Sequence, residues 1–320
     1  MIADKHIFAV ANAVFAKKNK GLIQNYRQRH GRQPDIANPR RYTELMLWRM
    51  IVDRNPQFVV FSDKIACKDY VKRRCPELSV PRTLWTGRDA NAIPDEILRG
   101  DVYVKANHGC NYNQRIRGGH FDRAVLKQQT DGWLGSVYGQ ESGQWAYSRV
   151  EPRLFVEEAV GDVEEGMVEF NVRVGNGRAI LGSMILGCKT PGQQVGYFDT
   201  DGRPTQGMTD PEGSPVVEMS VSPSVMEPYR RAVRFAEQLS VGVDYVRCDF
   251  MWNGKELFGG EITVYPAAGL HEPANTRVRT VTLNGWDLRQ SHFLKSPQKG
   301  WARIYAGALK RQLTASRGPQ

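Results

Sequence analysis

Four places in the chain carry the residue types that chemistry on phosphates and carboxylates requires. The first is an apolar run, VYVKA, that ends on Lys105 and enters a polar loop holding Gly109, Gly118 and Gly119. A lysine in such a run is costly to bury unless it meets an anion, and a glycine loop lets backbone N–H groups approach phosphate. Neither G-x-x-x-x-G-K-[ST] nor G-x-G-x-x-G is present, so the common nucleotide fingerprints are absent. The second place is Asp63-Lys64, where a lysine opens a helix; alone it reads as a solvated surface group. The third is RLFVEEAV followed by VEFNVRV, with Glu157 and Glu158 adjacent and Glu169 further on. Neighbours in a strand face opposite sides, so one of Glu157 and Glu158 points to the interior or to a cleft, and Glu169 with Asn171 shares a polar face. The fourth is VRCDFMWNGKELFGGEITVYPAAG (246–269). Here Arg247 and Asp249 project together from one strand, and Glu261 and Thr263 from the next. Two carboxylates brought together across a hairpin repel unless a cation lies between them, and hard oxygen ligands suit Mg²⁺. The plainer alternative is a cross-strand polar face neutralised by Arg247 and Lys255.

Strands and helices must hold these groups. The spacing predicts strands at 80–85, 101–106, 153–160, 168–174 and 179–186, and a hairpin of 243–252 with 255–265 around the two-residue turn signal Asn253-Gly254. Helices are expected at Thr43–Asp53, from a cap at Asp63 through Lys72, and at Ser224–Leu239, where Val225, Tyr229, Val233, Phe235, Ala236 and Leu239 recur at helical spacing. Ile7, Val10, Ala11, Val14 and Phe15 mark a further helix followed by Lys17, Lys18 and Lys20, a basic amphipathic helix that reads as packed on the body ahead of membrane contact, and the polar stretch 29–41, with two prolines and a glycine, reads as a linker. The sum is a mixed α+β body with antiparallel hairpins rather than a regular βαβ series.

Charge narrows the function. The 320 residues carry 44 Lys and Arg against 34 Asp and Glu, a net charge of +10. Residues 1–41 contribute nine basic and two acidic groups and residues 295–320 six basic and none acidic, so the stretch 42–294 is slightly acidic, at −3. Basicity confined to the two ends argues against a nucleic-acid-binding core. It fits peripheral contact with an anionic membrane face or an acidic glycan. No apolar run reaches the roughly 18 residues of a membrane span. Lys17 and Lys18 stand where a signal peptide would have small residues, so the N-terminus reads as mature sequence. Five dispersed cysteines without a C-x-x-C pair read as free thiols of a cytoplasmic protein.

Taken in order, SDK (62–64), VYVKANHG (102–109), LFVEEAV (154–160), VRCDF (246–250) and FGGEITVYPAAG (258–269) resemble the ATP-grasp superfamily, and within it the TupA-like branch associated with teichuronopeptide biosynthesis. The resemblance runs from about residue 38 to about residue 294. It implies an ATP-grasp fold, two α+β subdomains clasping ATP, with residues 1–41 as a basic helical N-terminal extension and linker, 42–294 as the catalytic domain and 295–320 as a basic C-terminal helix or tail. It also implies ATP and Mg²⁺ as cofactors. Lys64 and Lys105 would bind phosphates, with Lys189 a third phosphate lysine and the loop of His108, Gly109 and Cys110 closing over them. Glu157, with Glu158 beside it, would accept from the adenine amino group, the backbone at Ala159 and Val160 would read the ring edge, and Glu169 would hold the ribose. Asp249, Glu261 and Thr263 match the metal ligands, although the superfamily commonly has Asn where Thr263 stands. Arg247, Lys105 and His108 are the catalytic candidates. His271, Asn275, Arg277 and Arg279 follow PAAG, where relatives place the acceptor; an exposed basic strand accounts equally well for the two arginines.

The implied reaction is an ADP-forming carboxylate–amine ligation through an acyl phosphate, with a small-molecule or glycan carboxylate and an amine as partners. Two alternatives remain open on the sequence: a sugar or glycan kinase on the same fold, and an ATP-binding scaffold of a glycan-assembly complex without turnover.

Overall fold

The computed structural model describes residues 2–161, 166–188, 190–209 and 222–315. Five helices come first: α1 (Ile2–Lys18), α2 (Lys20–His30), α3 (Tyr42–Ile51), α4 (Gln57–Ser62) and α5 (Lys64–Arg74). The run QFVVFS is thus a short helix, and Asp63 caps the next one by accepting from the backbone N–H of Ile65 at 2.9 Å and Ala66 at 3.3 Å.

Then follow β1 (Thr83–Gly87), α6 (Asp95–Leu98), β2 (Val102–Ala106), β3 (Asn113–Ile116), α7 (Arg123–Leu134) and β4 (Leu154–Glu158). Their strands form an antiparallel sheet in the order β1-β4-β2-β3, with a core of its own around Leu98, Val102, Val104, Leu126 and Val156.

The second sheet is larger. Its strands are β5 (Val168–Gly175), β6 (Arg178–Leu186), β7 (Gln194–Phe198) and β8 (Pro204–Thr205), completed after the short β9 (Met208–Thr209) and the long helix α8 (Pro223–Leu239) by β10 (Tyr245–Trp252) and β11 (Leu257–Thr263), in the order β11-β10-β5-β6-β7-β8. One face is apolar, with Phe170, Val172, Val246 and Phe250 buried, and α8 packs on it through Tyr229, Ala232 and Ala236. Gly182 permits that contact, since a Cβ there would lie 2.0 Å from the Tyr229 hydroxyl. The other face is polar. Strand alternation puts Glu169, Asn171, Arg173, Arg247, Asp249, Glu261 and Thr263 on it, and the register sets Asn171 opposite Asp249 and Arg173 opposite Arg247.

The chain ends with β12 (Glu272–Pro273), which pairs with β9, then α9 (Thr276–Gly285), α10 (His292–Lys295) and α11 (Gly300–Ala315).

Two expectations change here. The Asn253-Gly254 hairpin exists, but its loop has four residues, because Trp252 pairs with Leu257 and the Asn253 carboxamide accepts from the N–H groups of Lys255 and Glu256. The stretch 29–41 is not a loose linker: Ile36 and Ala37 are buried, and Asn12 holds it by donating to Asp35 and accepting from the Ala37 N–H, both at 2.8 Å. The N-terminal helix packs on the body as expected, and the C-terminal helix packs beside it. α1 lies along α11 through Phe8 and Phe15 against Tyr305, and the Tyr305 hydroxyl links the Trp48 indole to the Ala37 carbonyl.

A buried arginine ties this helical layer to the polar sheet. Arg49 of α3, fully enclosed, donates to the carbonyls of Tyr245 and Val264 and to Asp244, whose second oxygen accepts from Trp286. It thereby holds the start of β10 and the end of β11 in place. No helix among the described residues is long and apolar enough to cross a membrane.

Candidate active site

The polar face of the large sheet meets α5 and the end of β2, and the ionic groups found from sequence converge there. Lys64, at the first position of α5, pairs through Nζ with Glu261. Partial burial raises the Glu261 carboxyl, but Lys64, Lys105 and Arg247 outweigh this and hold it at about 2. Arg247 grips Asp249 with two parallel bonds, Nε to Oδ1 at 2.7 Å and Nη2 to Oδ2 at 2.6 Å, the fork geometry that makes such pairs strong. Burial pushes the Asp249 carboxyl upward against this pull, and Asp249 in turn raises Arg247. The Thr263 hydroxyl lies 3.3 Å from Asp249 Oδ2. Asp249, Glu261 and Thr263 therefore offer hard oxygens within one small region, a donor set that fits Mg²⁺ with phosphate or water completing the shell. Among the described residues, no group of three or more His, Cys, Asp or Glu side chains is placed to hold a metal ion.

Across from these groups, Lys105 Nζ lies 2.5 Å from Glu157 Oε1. Glu157 is buried, and its second oxygen takes Lys68 Nζ at 2.8 Å. Burial would raise this carboxyl, but the two lysines overcome that and lower it. Lys68 was not singled out from the sequence. It stands one helical turn after Lys64 on α5, and that i,i+4 spacing is the signal that could have found it. Burial lowers the Lys68 ammonium, and Thr83 receives a further bond from it at 2.9 Å.

Asn107, also passed over within VYVKANHG, sets the distance between the two sides. Its side chain is buried, donates to Asp63 Oδ1 at 3.0 Å and to the Glu151 carbonyl at 3.1 Å, and accepts from the Arg153 N–H at 2.8 Å. Its carbonyl accepts from the Lys64 N–H at 2.9 Å. One residue thus joins the cap of the helix bearing Lys64 to the strand bearing Lys105.

Several candidates lie elsewhere or are otherwise engaged. Glu158 faces the opposite side of β4 from Glu157, as strand alternation demands, and accepts from the backbone and Nε of Arg82; it is not part of the cleft. His108 is enclosed, with Nε2 3.1 Å from the Trp133 carbonyl and a ring pKa lowered by burial, so it packs the loop onto α7 and presents no ring to the cleft as an acid or base. Gly109 is required by packing, since a Cβ would meet the Tyr112 ring at 2.5 Å. Of the backbone groups assigned to the adenine edge, the Ala159 N–H donates to Asp101 and the Val160 carbonyl accepts from Asn253. Glu169 sits on the polar face of β5, opposite Met251. Lys189 lies outside the described residues. After PAAG the chain forms no exposed basic strand. Asn275 caps α9, accepting from the Val278 N–H at 2.8 Å, Arg277 and Arg279 are exposed on that helix, and His271 is partly buried just before β12.

The order of these groups along the chain, two lysines, a strand-end glutamate and two late carboxylates with an arginine, matches their convergence in space. Among solved structures, the chain is similar to the ATP-grasp ligase PsnB complexed with minimal precursor, at 13% identity over 80% of this chain and 62% of that one, TM-score 0.38. It is similar to the L-amino acid ligase of Bacillus licheniformis, at 9% identity, 76% and 51% coverage and TM-score 0.44. It is likewise similar to the D-alanine–D-alanine ligase of Bacillus anthracis complexed with ATP, at 11% identity, 80% and 66% coverage and TM-score 0.37. The chain spans less than two thirds of each of these. No curated protein matches it. The family described as TupA-like ATP-grasp matches residues 44–280, a stretch that holds every ionic group of the cleft, and the chain belongs to that family.

Proposed function

We propose that the protein is an ATP-dependent, ADP-forming carboxylate–amine ligase. The observation that carries this reading is the meeting of Lys64 and Lys105 with Glu261, Asp249 and Arg247 across one cleft, in a chain of the ATP-grasp family. Lys64 and Lys105 each rest on a carboxylate and exchange it for phosphate oxygens of ATP. Asp249, Glu261 and Thr263 would hold Mg²⁺, which supplies charge neutralisation at the phosphates. Arg247, oriented by Asp249, stabilises the negative charge that builds on the transferring phosphoryl group, a contact worth about 3–4 kcal/mol where comparable donors have been removed. An oxygen of the substrate carboxylate attacks the γ-phosphorus and ADP leaves. An amine then attacks the acyl carbon of the resulting acyl phosphate, and the products are the amide, phosphate and a proton. Glu157 stays near the adenine end as the acceptor for its amino group, with Lys68 holding it in place.

The acceptor carboxylate, on this reading, belongs to a surface polysaccharide or its precursor, as the teichuronopeptide association of the TupA-like branch suggests. The exposed faces of α1 and α11 support work at an anionic surface. Val10, Val14, Trp301 and Ile304 are each 37–50% exposed, among the exposed Lys5, Lys17, Lys18, Lys299, Arg303 and Lys310.

A screen of acid and amine pairs for ADP release, with Lys105→Ala and Glu261→Gln alongside, tests the central claim. Both variants are expected to lose at least about 100-fold in kcat/KM. Wild-type turnover retained by either variant refutes the site, and phosphate found on a hydroxyl acceptor favours a kinase.

A further inference from the structure

Arg173 of β5 is a cation the reaction scheme does not use. It is 5% exposed, and neither its Nε nor its Nη1 has a hydrogen-bond partner among the described residues. Its guanidinium lies over the Tyr197 ring, 5.7 Å from the centroid. The register places it directly opposite Arg247, so two guanidinium groups project side by side from the polar face. Arg247 is satisfied by its fork onto Asp249, and Arg173 has no such partner there. The Asp249 charge and the Tyr197 ring offset part of the cost of burying this arginine, but its idle N–H groups remain expensive until an anion arrives to accept from them.

Position says which anion. In the order β11-β10-β5, Arg173 lies beyond Arg247 as seen from Glu261, the carboxylate that Lys64 holds. It stands on the strand that packs against α9, and its cross-strand partner on the side away from Arg247 is Leu181 of β6. The phosphate lysines are therefore on the far side of Arg247, and α9, which begins with Asn275 and Arg277, is on the near side.

We propose that Arg173 is the receptor for a second carboxylate of the acid substrate, distinct from the one activated beside Arg247, so that the enzyme selects acids carrying two anionic groups. This deepens the ligase reading and rests on it for the word substrate, but the receptor itself can be tested by binding alone.

Calorimetric titration of malonate, succinate, glutarate, butyrate, inorganic phosphate and Mg-ATP into the wild-type protein, Arg173→Met and Arg173→Lys tests the proposal. The expected result is that at least one dicarboxylate binds the wild type about 10–100-fold more tightly than butyrate, that Arg173→Met abolishes the difference, and that Arg173→Lys keeps part of it. Mg-ATP affinity stays within about twofold, and without anion Arg173→Met melts no lower than the wild type, because Nε and Nη1 make no hydrogen bond that the thioether would forfeit and the buried charge is removed. A marked fall in melting temperature of anion-free Arg173→Met assigns the residue a structural role and overturns the proposal. So does an equal loss of Mg-ATP affinity, Arg173-dependent binding of inorganic phosphate as tight as that of the dicarboxylates, or the absence of any Arg173-dependent binding. Failure of the ligase reading is distinguishable: no acid and amine pair then releases ADP, while the titrations still show the Arg173 site.

Discussion

Replacing Asn107 with Ala should damage both stability and ATP binding, and the structure sets the size of the first effect. The carboxamide makes three hydrogen bonds in a buried site: one to the Asp63 carboxylate, one to the Glu151 carbonyl and one from the Arg153 N–H. Two neutral bonds at about 1 kcal/mol each and one to a charged group at about 1.5–3 kcal/mol give a loss of about 3.5–5 kcal/mol. Truncation also leaves the Arg153 N–H and the Glu151 carbonyl short of a partner, which keeps the loss in the upper part of that range. Urea unfolding followed by circular dichroism reads this directly. The functional consequence follows from geometry, because the helix cap that presents Lys64 and the strand that presents Lys105 lose their common tie, and a shift of about 1 Å in positioning can cost about 100-fold. Titration with Mg-ATP should therefore show affinity reduced by at least tenfold at temperatures where the variant remains folded. Asn107→Asp keeps the shape but sets a carboxylate against that of Asp63. It should be no more stable than Asn107→Ala at neutral pH and should recover as the pH falls below about 5, where the pair shares a proton. A loss below about 1 kcal/mol, or a full loss of stability with ATP affinity intact, would refute the claim that Asn107 sets the spacing of the two lysines.

Asp53 offers a test by pH. It is enclosed, one oxygen accepts from the Phe293 N–H at 3.0 Å, the other has no partner among the described residues, and burial with the nearby Asp244 raises its carboxyl to about 7 despite Arg49. The folded state thus binds this proton more tightly than the unfolded chain, so its stabilising contribution is complete below the unfolded value of 3.8 and is lost as the pH rises through about 7. Asp53→Asn should flatten the fall in unfolding free energy between about pH 4 and 7, and an unchanged slope would count against the assignment. At the termini, Lys17→Glu with Lys18→Glu should weaken sedimentation with phosphatidylserine vesicles by at least about 30-fold at low salt, at about 1 kcal/mol per basic residue removed, with the wild-type binding itself falling as salt rises. Binding to neutral phosphatidylcholine vesicles of equal strength would remove the electrostatic argument.

How much of this was legible before any coordinates depended on how local each signal is. The cap at Asp63, the helix of Pro223–Leu239 and the strands around Lys105, Glu157 and Asp249 follow from residue periodicity and turn chemistry within a few positions. So does the sharing of one face by Arg247 and Asp249, because a strand's side-chain period of two needs no knowledge of its neighbours. The short β7 and the four-residue hairpin loop were not legible, since a strand of five residues takes its identity from the partner it joins. The stretch 29–41 looked like a linker because its composition is polar, yet two of its apolar residues reach the core and its backbone is held by Asn12 and Glu44.

What the sequence determined by itself was the inventory of the cleft: two lysines, a buried glutamate, an arginine with two late carboxylates, and the family they mark. Which charge answers which was decided only by the tertiary structure. Glu157 lies between Lys105 and Lys68, Glu158 one residue later turns outward to Arg82, Asn107 fastens two separate elements, and Arg173 faces Arg247 with its Nε and Nη1 lacking a hydrogen-bond partner among the described residues. The physical reason is range. Propensity and periodicity act over a few residues, whereas the cost of a buried charge is settled by whatever chain, near or far in sequence, is folded against it.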